Sequence, residues 1–393
     1  MWLWQGVEMA QLVQRMTKFG TAIFTEMTLL AQEHDAINLG QGAPDNQAPT
    51  IVHERAIEAI RDGHNQYAPG IGIPELREAI AHHQQHHYGI TLDPATQVQA
   101  SAGAAEALTA SILALCEPGD EVIVLEPYFD VYPAAIELAQ GVLVPLRLEA
   151  PEFRVDEAKL RSLVTERTKL ILVNTPHNPT GHLVTVPELE TIARVAIEHD
   201  LTIITDEVYE HLAFDGREHT PIASLPGMFE RTLTISSSGK TFSTTGWKIG
   251  WFSGPEHLVE AVGTVKQFLT FANGHPFQYG IAAGLQLPDS EFHALRDRLW
   301  RQRDVLVPAL EHAGFEVLAA DAGYFVSVDV APLGYENSYD FCRELPAKAG
   351  VAAIPMIPFY TDASGAESLV RFAFCKRVEV LEEAATRLER AFR

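Results

Sequence analysis

The strongest constraint on the fold is a set of four continuous apolar runs, each of which ends in polar residues. They are GDEVIVLEPYF (119–129), TKLILVNTPHNP (168–179), DLTIITDEVY (200–209) and RTLTISSSGK (231–240). Because their apolar parts do not alternate with polar residues, they predict strands of a sheet that helices cover on both faces. Helical patterns accompany them, at 104–116 before the first run and at 186–200 between the second and the third. This alternation predicts an α/β fold with a largely parallel sheet.

The pattern changes after about Pro288, where a long polar helix is followed by shorter mixed elements. This α+β texture, together with a length of 393 residues, indicates more than one domain. We predict a large domain at 51–288 and a smaller α+β domain formed by 1–50 and 289–393. Trp2 and Trp4 belong to an N-terminal extension, which is either a docking arm or an over-long gene start.

Composition excludes several classes of function. The chain has 29 Lys and Arg against 52 Asp and Glu, a net charge of −23, which disfavours general nucleic-acid binding. Its three cysteines are far apart and form no CxxC pair, so neither a disulfide framework nor a zinc ribbon is expected. The N-terminus has no basic leader region and no apolar run reaches about 18 residues. We therefore expect a cytoplasmic protein without a membrane span.

Polar and aromatic side chains follow the four runs where each strand should end. In open α/β sheets, ligands bind beyond the carboxyl ends of the strands, so these side chains should converge. Taken singly, each residue also has a simpler structural explanation: Asp206 can be a helix cap, Asn174 a turn residue and Lys240 a surface lysine. None has metal-ligand spacing. The set is Phe129, Asn174, Asn178, Asp206, Tyr209, Ser237 and Lys240.

Glycine-rich motifs do not indicate a nucleotide site. Residues 238–241 read SGKT, the end of a P-loop, but Thr234 stands where its first glycine is required. GQG at 40–42 lacks the third glycine of a dinucleotide motif, since Asp45 stands there. The small residues at 101–107, in contrast, precede an apolar helix whose free N–H groups suit one phosphate, although close packing is the more common reason for such a pattern.

Seven stretches of this chain resemble fold-type-I pyridoxal-phosphate enzymes, specifically class I/II aminotransferases of the kynurenine aminotransferase branch. This resemblance implies a large domain with a mostly parallel, helix-flanked sheet and a smaller α+β domain. The stretches follow the family order and are NLGQGAPD (38–45), NQYAPGIGIPELREAI (65–80), EPYFDVY (126–132), NTPHNPTG (174–181), TDEVYEHLAFDG (205–216), SSSGKTFSTTGWKIGW (236–251) and LVRFAFCK (369–376).

The resemblance implies catalytic roles for Lys240, Asp206 and Tyr209. Lys240 supplies the amine that joins the cofactor aldehyde and later moves a proton. Asp206 pairs with the pyridine nitrogen, and Tyr209 and Asn178 bind the phenolic oxygen. Two further residues complete the surroundings of the ring: Phe129 stacks on its face and Asn174 supports the site.

The remaining implied residues bind the cofactor phosphate and the substrate. The phosphate lies on the backbone of Ala104 and Ala105, beside Ser237 and Lys248. Tyr67 reaches it from a neighbouring subunit, which implies a homodimer with shared active sites. Arg371 takes the substrate carboxylate, because a guanidinium matches its planar geometry. Gly42 approaches the same carboxylate through its backbone, and Phe24 forms an aromatic wall.

The pocket departs from kynurenine aminotransferases. Ala105, Asn273 and Gly274 stand where kynurenine aminotransferases carry aromatic or histidine side chains, which predicts a roomier and more polar pocket. Residues 332–359 and 369–377 resemble actinobacterial N-succinyldiaminopimelate aminotransferases of lysine biosynthesis, which implies amino transfer between glutamate and N-succinyl-2-amino-6-oxopimelate. No basic residue is identified for the succinyl carboxylate.

Alternative functions stay open. They are a kynurenine-, glutamine- or methionine-type aminotransferase and a cysteine-conjugate β-lyase. A regulator that shares the fold is disfavoured, since the first 20 residues are too short for a DNA-binding helix-turn-helix.

Four histidines in AHHQQHHYG form two pairs at i,i+4 spacing, His82/His86 and His83/His87. This spacing can chelate a metal, but no acidic third ligand follows at helical spacing. We therefore predict a solvated helix face and no metal. The three cysteines, Cys116, Cys342 and Cys375, are expected to be buried.

Overall fold

A computed structural model describes residues 12–20 and 23–392, so the extension with Trp2 and Trp4 lies outside the described residues. Thirteen strands occur in the described part of the chain. They are β1 Ile37–Asn38, β2 Val98–Ser101, β3 Glu121–Glu126, β4 Val142–Arg147, β5 Thr168–Asn174, β6 Thr202–Asp206, β7 Thr232–Ser237, β8 Gly250–Ser253, β9 Glu316–Ala319, β10 Phe325–Asp329, β11 Val351–Ala352, β12 Ile354–Pro355 and β13 Leu369–Ala373.

Helices cover these strands, and among residues 12–20 and 23–392 none is long and apolar enough to cross a bilayer. The thirteen α-helices of this part are α1 Ile23–Glu33, α2 Thr50–Arg61, α3 Pro74–Tyr88, α4 Ala104–Leu115, α5 Val131–Leu138, α6 Glu157–Leu163, α7 Val186–Glu198, α8 Ser238–Thr241, α9 Glu256–Lys266, α10 His275–Leu285, α11 Asp289–His312, α12 Ser338–Ala349 and α13 Val378–Phe392.

The larger sheet has seven strands in the order β2-β8-β7-β6-β5-β3-β4. Only β8 pairs antiparallel with both of its neighbours, so the predicted, largely parallel α/β sheet is confirmed. The four runs form β3, β5, β6 and β7, and these are buried almost throughout. Each strand is shorter than its run, because the polar residues at the end of the run leave the sheet.

A second, antiparallel sheet has the order β12-β13-β10-β9 and lies entirely after residue 288. Residues near the N-terminus join this region, since β1 pairs in parallel with β11. The strands of the seven-stranded sheet all fall within 98–253. The division into 51–288 on one side and 1–50 with 289–393 on the other stays a prediction.

The histidine-rich face of α3 differs from the prediction. His83 is only 1% exposed, so a solvated face is wrong for this residue. The reason is tertiary packing, because α3 turns His83 toward His211 and Phe292, which come from distant parts of the chain. The cysteine prediction is confirmed, since all three thiols are free and buried.

Candidate active site

A cavity of about 290 Å³ lies beyond the carboxyl ends of β5, β6 and β7. Residues of the second sheet, including Arg371 of β13 and Phe325 of β10, close its other side. Every residue to which the resemblance assigns a catalytic, cofactor-binding or substrate-binding role, except Tyr67, lines this one cavity. They are Phe24, Gly42, Ala104, Ala105, Phe129, Asn174, Asn178, Asp206, Tyr209, Ser237, Lys240, Lys248 and Arg371.

Asp206 is the last residue of β6 and is 4% exposed. The Tyr132 hydroxyl donates to its Oδ2 at 2.8 Å, and the Val208 N–H donates to its Oδ1 at 3.3 Å. Burial raises the pKa of the Asp206 carboxyl to about 6, although the Tyr132 hydrogen bond opposes the shift. A buried carboxylate of this kind favours a cationic partner in the cavity.

Lys240 lies in the short helix α8, directly after β7. Its Nζ is 5.8 Å from the centre of the Tyr209 ring and 5.5 Å from that of Tyr324. Burial lowers the pKa of the Lys240 amine to about 8. About a tenth of the amine is then neutral at pH 7, which is the form needed for a nucleophile or a general base.

Donors for an anion converge at the start of α4. Gly103 precedes the helix with φ +75°, and a Cβ there would lie 3.1 Å from the Lys248 amine. Lys248 therefore lies directly against the helix N-terminus, whose first N–H groups, including those of Ala104 and Ala105, have no acceptor within the helix. Ser237 contributes a hydroxyl to the same cavity. This donor set suits a phosphate.

Arg371 is 1% exposed, and burial lowers the pKa of its guanidinium to about 10. Its Nη1 donates to Asn178 Oδ1 at 2.8 Å and its Nη2 to the Gly40 carbonyl at 2.9 Å. Its Nε is buried without a hydrogen-bond partner in the described part of the chain. The Phe325 ring lies 4.0 Å from the guanidinium carbon. A buried cation with an unsatisfied donor favours a carboxylate ligand.

Two asparagines connect Arg371 to the strand ends. Asn174 Nδ2 donates to the Asp206 carbonyl at 2.9 Å, which holds the ends of β5 and β6 together. Asn174 Oδ1 accepts the Asn178 N–H at 2.7 Å, and Asn178 in turn accepts from Arg371. These hydrogen bonds position groups that the sequence places 193 residues apart.

Tyr324 and Tyr132 are site residues that the sequence interpretation missed. The Tyr324 hydroxyl donates to the Gly42 carbonyl at 2.7 Å, and a Cβ at Gly42 would lie 2.7 Å from the Phe325 ring. Gly42 therefore permits the close approach of this loop to β10. Tyr132 follows Phe129 by three residues at the start of α5, a helical spacing from which it was recognisable.

Tyr67 does not line the cavity of its own chain. It is 81% exposed and lies in a surface depression with Asn273 and Gly274. Asn273 and Gly274 do not line the cavity within one chain, so the expectation that they make the pocket roomier stays a prediction. The Asn273 amide instead donates to the carbonyls of Ser101 and Lys248, at 2.9 and 3.0 Å.

The cavity fits the cofactor that the resemblance implies. Pyridoxal phosphate combines a phosphate, a basic ring nitrogen and an aldehyde. The α4 N-terminus with Lys248, the Asp206 carboxylate and the Lys240 amine are the matching partners. The unpaired Arg371 Nε remains for a substrate carboxylate.

Comparison with known proteins gives a consistent family match. The sequence profile of aminotransferase class I and II matches residues 34–388. The probable N-succinyldiaminopimelate aminotransferase of Mycobacterium tuberculosis is 45% identical over 386 residues, 96% of this chain and 97% of that protein. The methionine aminotransferase of Escherichia coli is 38% identical, over 95% and 97% of the two chains. Mouse kynurenine–oxoglutarate transaminase 3 is 36% identical, over 94% and 88%.

The fold matches a solved structure over the same range. The N-succinyldiaminopimelate aminotransferase structure from Mycobacterium tuberculosis superposes with a TM-score of 0.94 at 44% identity. The match covers 97% of this chain and all of that chain.

Proposed function

We propose a specific reaction for this chain, which belongs to the pyridoxal-phosphate-dependent aminotransferases of class I and II: amino transfer between N-succinyl-LL-2,6-diaminopimelate and 2-oxoglutarate, a step of lysine biosynthesis. The observation that carries this proposal is the 45% identity to the Mycobacterium tuberculosis relative over 96% of the chain. Methionine and kynurenine aminotransferases are less similar at comparable coverage.

When bound, pyridoxal phosphate supplies a ring that accepts electrons and so acidifies the Cα–H bond of an amino acid. We assign the phosphate to the α4 N-terminus, Ser237 and Lys248, and the ring nitrogen to Asp206. Because the Asp206 carboxylate is buried, it stabilises a protonated ring nitrogen strongly. Phe129 is assigned to the ring face, and Tyr209 with Asn178 to the ring oxygen.

Lys240 is the residue that we assign to proton movement. Its amine has no hydrogen-bond partner in the described part of the chain and faces the rings of Tyr209 and Tyr324. A pKa of about 8 lets this amine both accept a proton and return it near neutral pH. Arg371 holds the α-carboxylate, and Phe24 and Phe325 exclude water beside it.

The positively charged residues of the cavity lining are the candidates to bind the succinyl carboxylate at the far end of the substrate. In the described part of the chain they are Lys240, Lys248 and Arg371, and all three are already assigned. Within one chain, a succinyl carboxylate therefore meets neutral donors such as the Gln41 amide. The small side chain of Ala105 leaves room in the cavity for an extended aliphatic substrate.

A panel of amino donors tests the substrate. With 2-oxoglutarate as acceptor, we expect kcat/KM for N-succinyl-LL-2,6-diaminopimelate to exceed that for methionine, kynurenine or glutamine at least about tenfold, because a pocket discriminates through groups that only one substrate satisfies. The assay is coupled to glutamate formation. A higher kcat/KM for methionine or kynurenine contradicts the proposed substrate while leaving the aminotransferase activity intact.

The β-lyase alternative can be distinguished from amino transfer by its product, pyruvate. Incubation with a cysteine conjugate and no oxo acid releases pyruvate only if elimination occurs. Pyruvate release faster than amino transfer contradicts the proposed reaction.

We also propose a homodimer in which Tyr67 completes the partner's site. An exposed apolar patch supports it: Tyr67 and Phe268 are 81% and 83% exposed, and the Tyr67 ring lies 5.8 Å from Phe271. Exposed aromatic patches of this kind mark protein interfaces. A cytoplasmic location is part of the proposal, supported by three unpaired thiols.

Phe268→Glu tests the dimer. Sedimentation velocity should show a dimer for the wild type and a monomer for this variant, since a buried charge opposes association. Ile197→Glu is the matched control, because Ile197 is 47% exposed on α7, outside the patch, and should leave the dimer unchanged. A monomeric wild type, or a dimeric Phe268→Glu variant, contradicts the proposed interface.

A further inference from the structure

Three imidazoles from two distant segments meet beside the turn that carries Tyr209. His83 and His87 lie one helical turn apart on α3, and His211 follows β6. Their ring centres are 4.5 Å apart for His83 and His87, 4.9 Å for His83 and His211, and 5.0 Å for His87 and His211. One nitrogen of each ring lies within 4.8 Å of the other two. The rings thus form a nearly equilateral triangle.

The surroundings of this triangle match a metal site more closely than a solvated helix face. His83 is 1% exposed, and its Nδ1 is buried without a partner in the described part of the chain. The Phe292 ring packs on His87 and His211 at 5.2 and 4.5 Å and shields one side.

We propose that His83, His87 and His211 bind one divalent transition-metal ion of the Zn²⁺ type. Imidazole nitrogens suit Zn²⁺, which takes four ligands at about 2.0–2.1 Å and so separates them by roughly 3.3 Å. The His83 and His211 Nε2 atoms are 2.7 Å apart, so binding requires them to separate by about 0.6 Å. The fourth position is left to water.

A neighbouring cavity and a nearby carboxylate both favour binding of a metal ion at this triangle. A cavity of about 480 Å³ opens beside His83 and His87 and provides a path for it. Asp289 lies at the same cavity, where His86 Nε2 and Asp289 Oδ1 are 2.7 Å apart, and its carboxylate attracts cations toward the triangle.

The ion would connect two segments that lie close in sequence to residues assigned to the active site. His211 follows Tyr209 by two residues, and α3 continues from the segment that carries Tyr67. A bound ion therefore fixes the turn after β6 against α3. Its role is structural support, and its binding does not depend on the substrate of the enzyme.

Isothermal titration of untagged, chelator-treated holoprotein with ZnCl₂ tests the site. We expect one ion per chain in the wild type and at least roughly a hundredfold weaker binding for His211→Ala and for His87→Ala. The His87 and His211 side chains are both only partly buried, so both variants should fold. His82→Ala, an exposed histidine on the same helix, is the matched control and should bind as the wild type does.

Two results overturn the proposal. Binding that is lost in Asp289→Asn but kept in His211→Ala places the ion among His86, His87 and Asp289, the neighbouring group. If the wild type binds no stoichiometric Zn²⁺, His83 and His211 form a hydrogen-bonded pair and no metal site. Thermal melting gives an independent readout, because Zn²⁺ should raise the melting temperature of the wild type and not that of His87→Ala.

Discussion

Replacement of Lys240 by alanine is expected to lower kcat for amino transfer roughly a thousandfold or more. Lys240 is the one cavity lysine placed among Tyr209, Tyr324 and the strand end that carries Asp206, whereas Lys248 lies against Gly103. No other amine in the described cavity lining occupies its position, so both the covalent attachment and the proton transfer should be lost. Steady-state and single-turnover kinetics with the preferred donor measure the effect.

The control is Lys169→Ala, which removes an exposed lysine from β5 and should leave kcat unchanged. Circular dichroism of both variants checks that the fold is retained. Near-normal turnover of Lys240→Ala with an intact fold contradicts the assignment of this residue.

Arg371→Lys should reduce kcat/KM for amino acids about a hundredfold while the protein keeps its cofactor. The Arg371 guanidinium donates to Asn178 and Gly40 and still has Nε free for a carboxylate. A lysine has one nitrogen and cannot serve all three acceptors in a fixed planar arrangement. Because the site is buried, the lost charge-assisted hydrogen bonds are worth several kcal/mol, about 3 kcal/mol for the stated change.

Cofactor absorbance after dialysis separates this effect from a general collapse of the site. Arg377→Lys is the matched control, since Arg377 is largely exposed and its Nε is 3.7 Å from Asp45 at the surface. Equal losses of cofactor and of substrate affinity in Arg371→Lys contradict the assignment of this residue to the substrate carboxylate.

The sheet was predictable because its strands are short, continuous and buried on both faces. β5 and β6 follow directly from the apolar runs that end at Asn174 and Asp206. The ends of those runs also located much of the cavity, since parallel strands bring their carboxyl ends to one edge. The predicted strands were too long, because the hydrophobic pattern does not show that Asn178 and Tyr209 lie beyond the ends of β5 and β6.

Contacts between distant segments were not predictable in this way. Nothing in local sequence shows that the Tyr324 hydroxyl reaches the Gly42 carbonyl, 282 residues away. The burial of His83 has the same origin, because His211 and Phe292 approach α3 only in the folded chain. Spacing rules detect neighbours on one helix or strand, and these contacts join different elements.

Peptide mapping of the borohydride-reduced holoprotein shows whether the Lys240 amine is joined to pyridoxal phosphate. The reduction makes the link between amine and aldehyde permanent and bleaches the yellow absorbance. We expect the added cofactor mass on Lys240 itself, located by fragmentation of the labelled peptide, and not on Lys248 or Lys266. Cofactor mass on another lysine, or a protein whose absorbance borohydride leaves unchanged, contradicts this expectation.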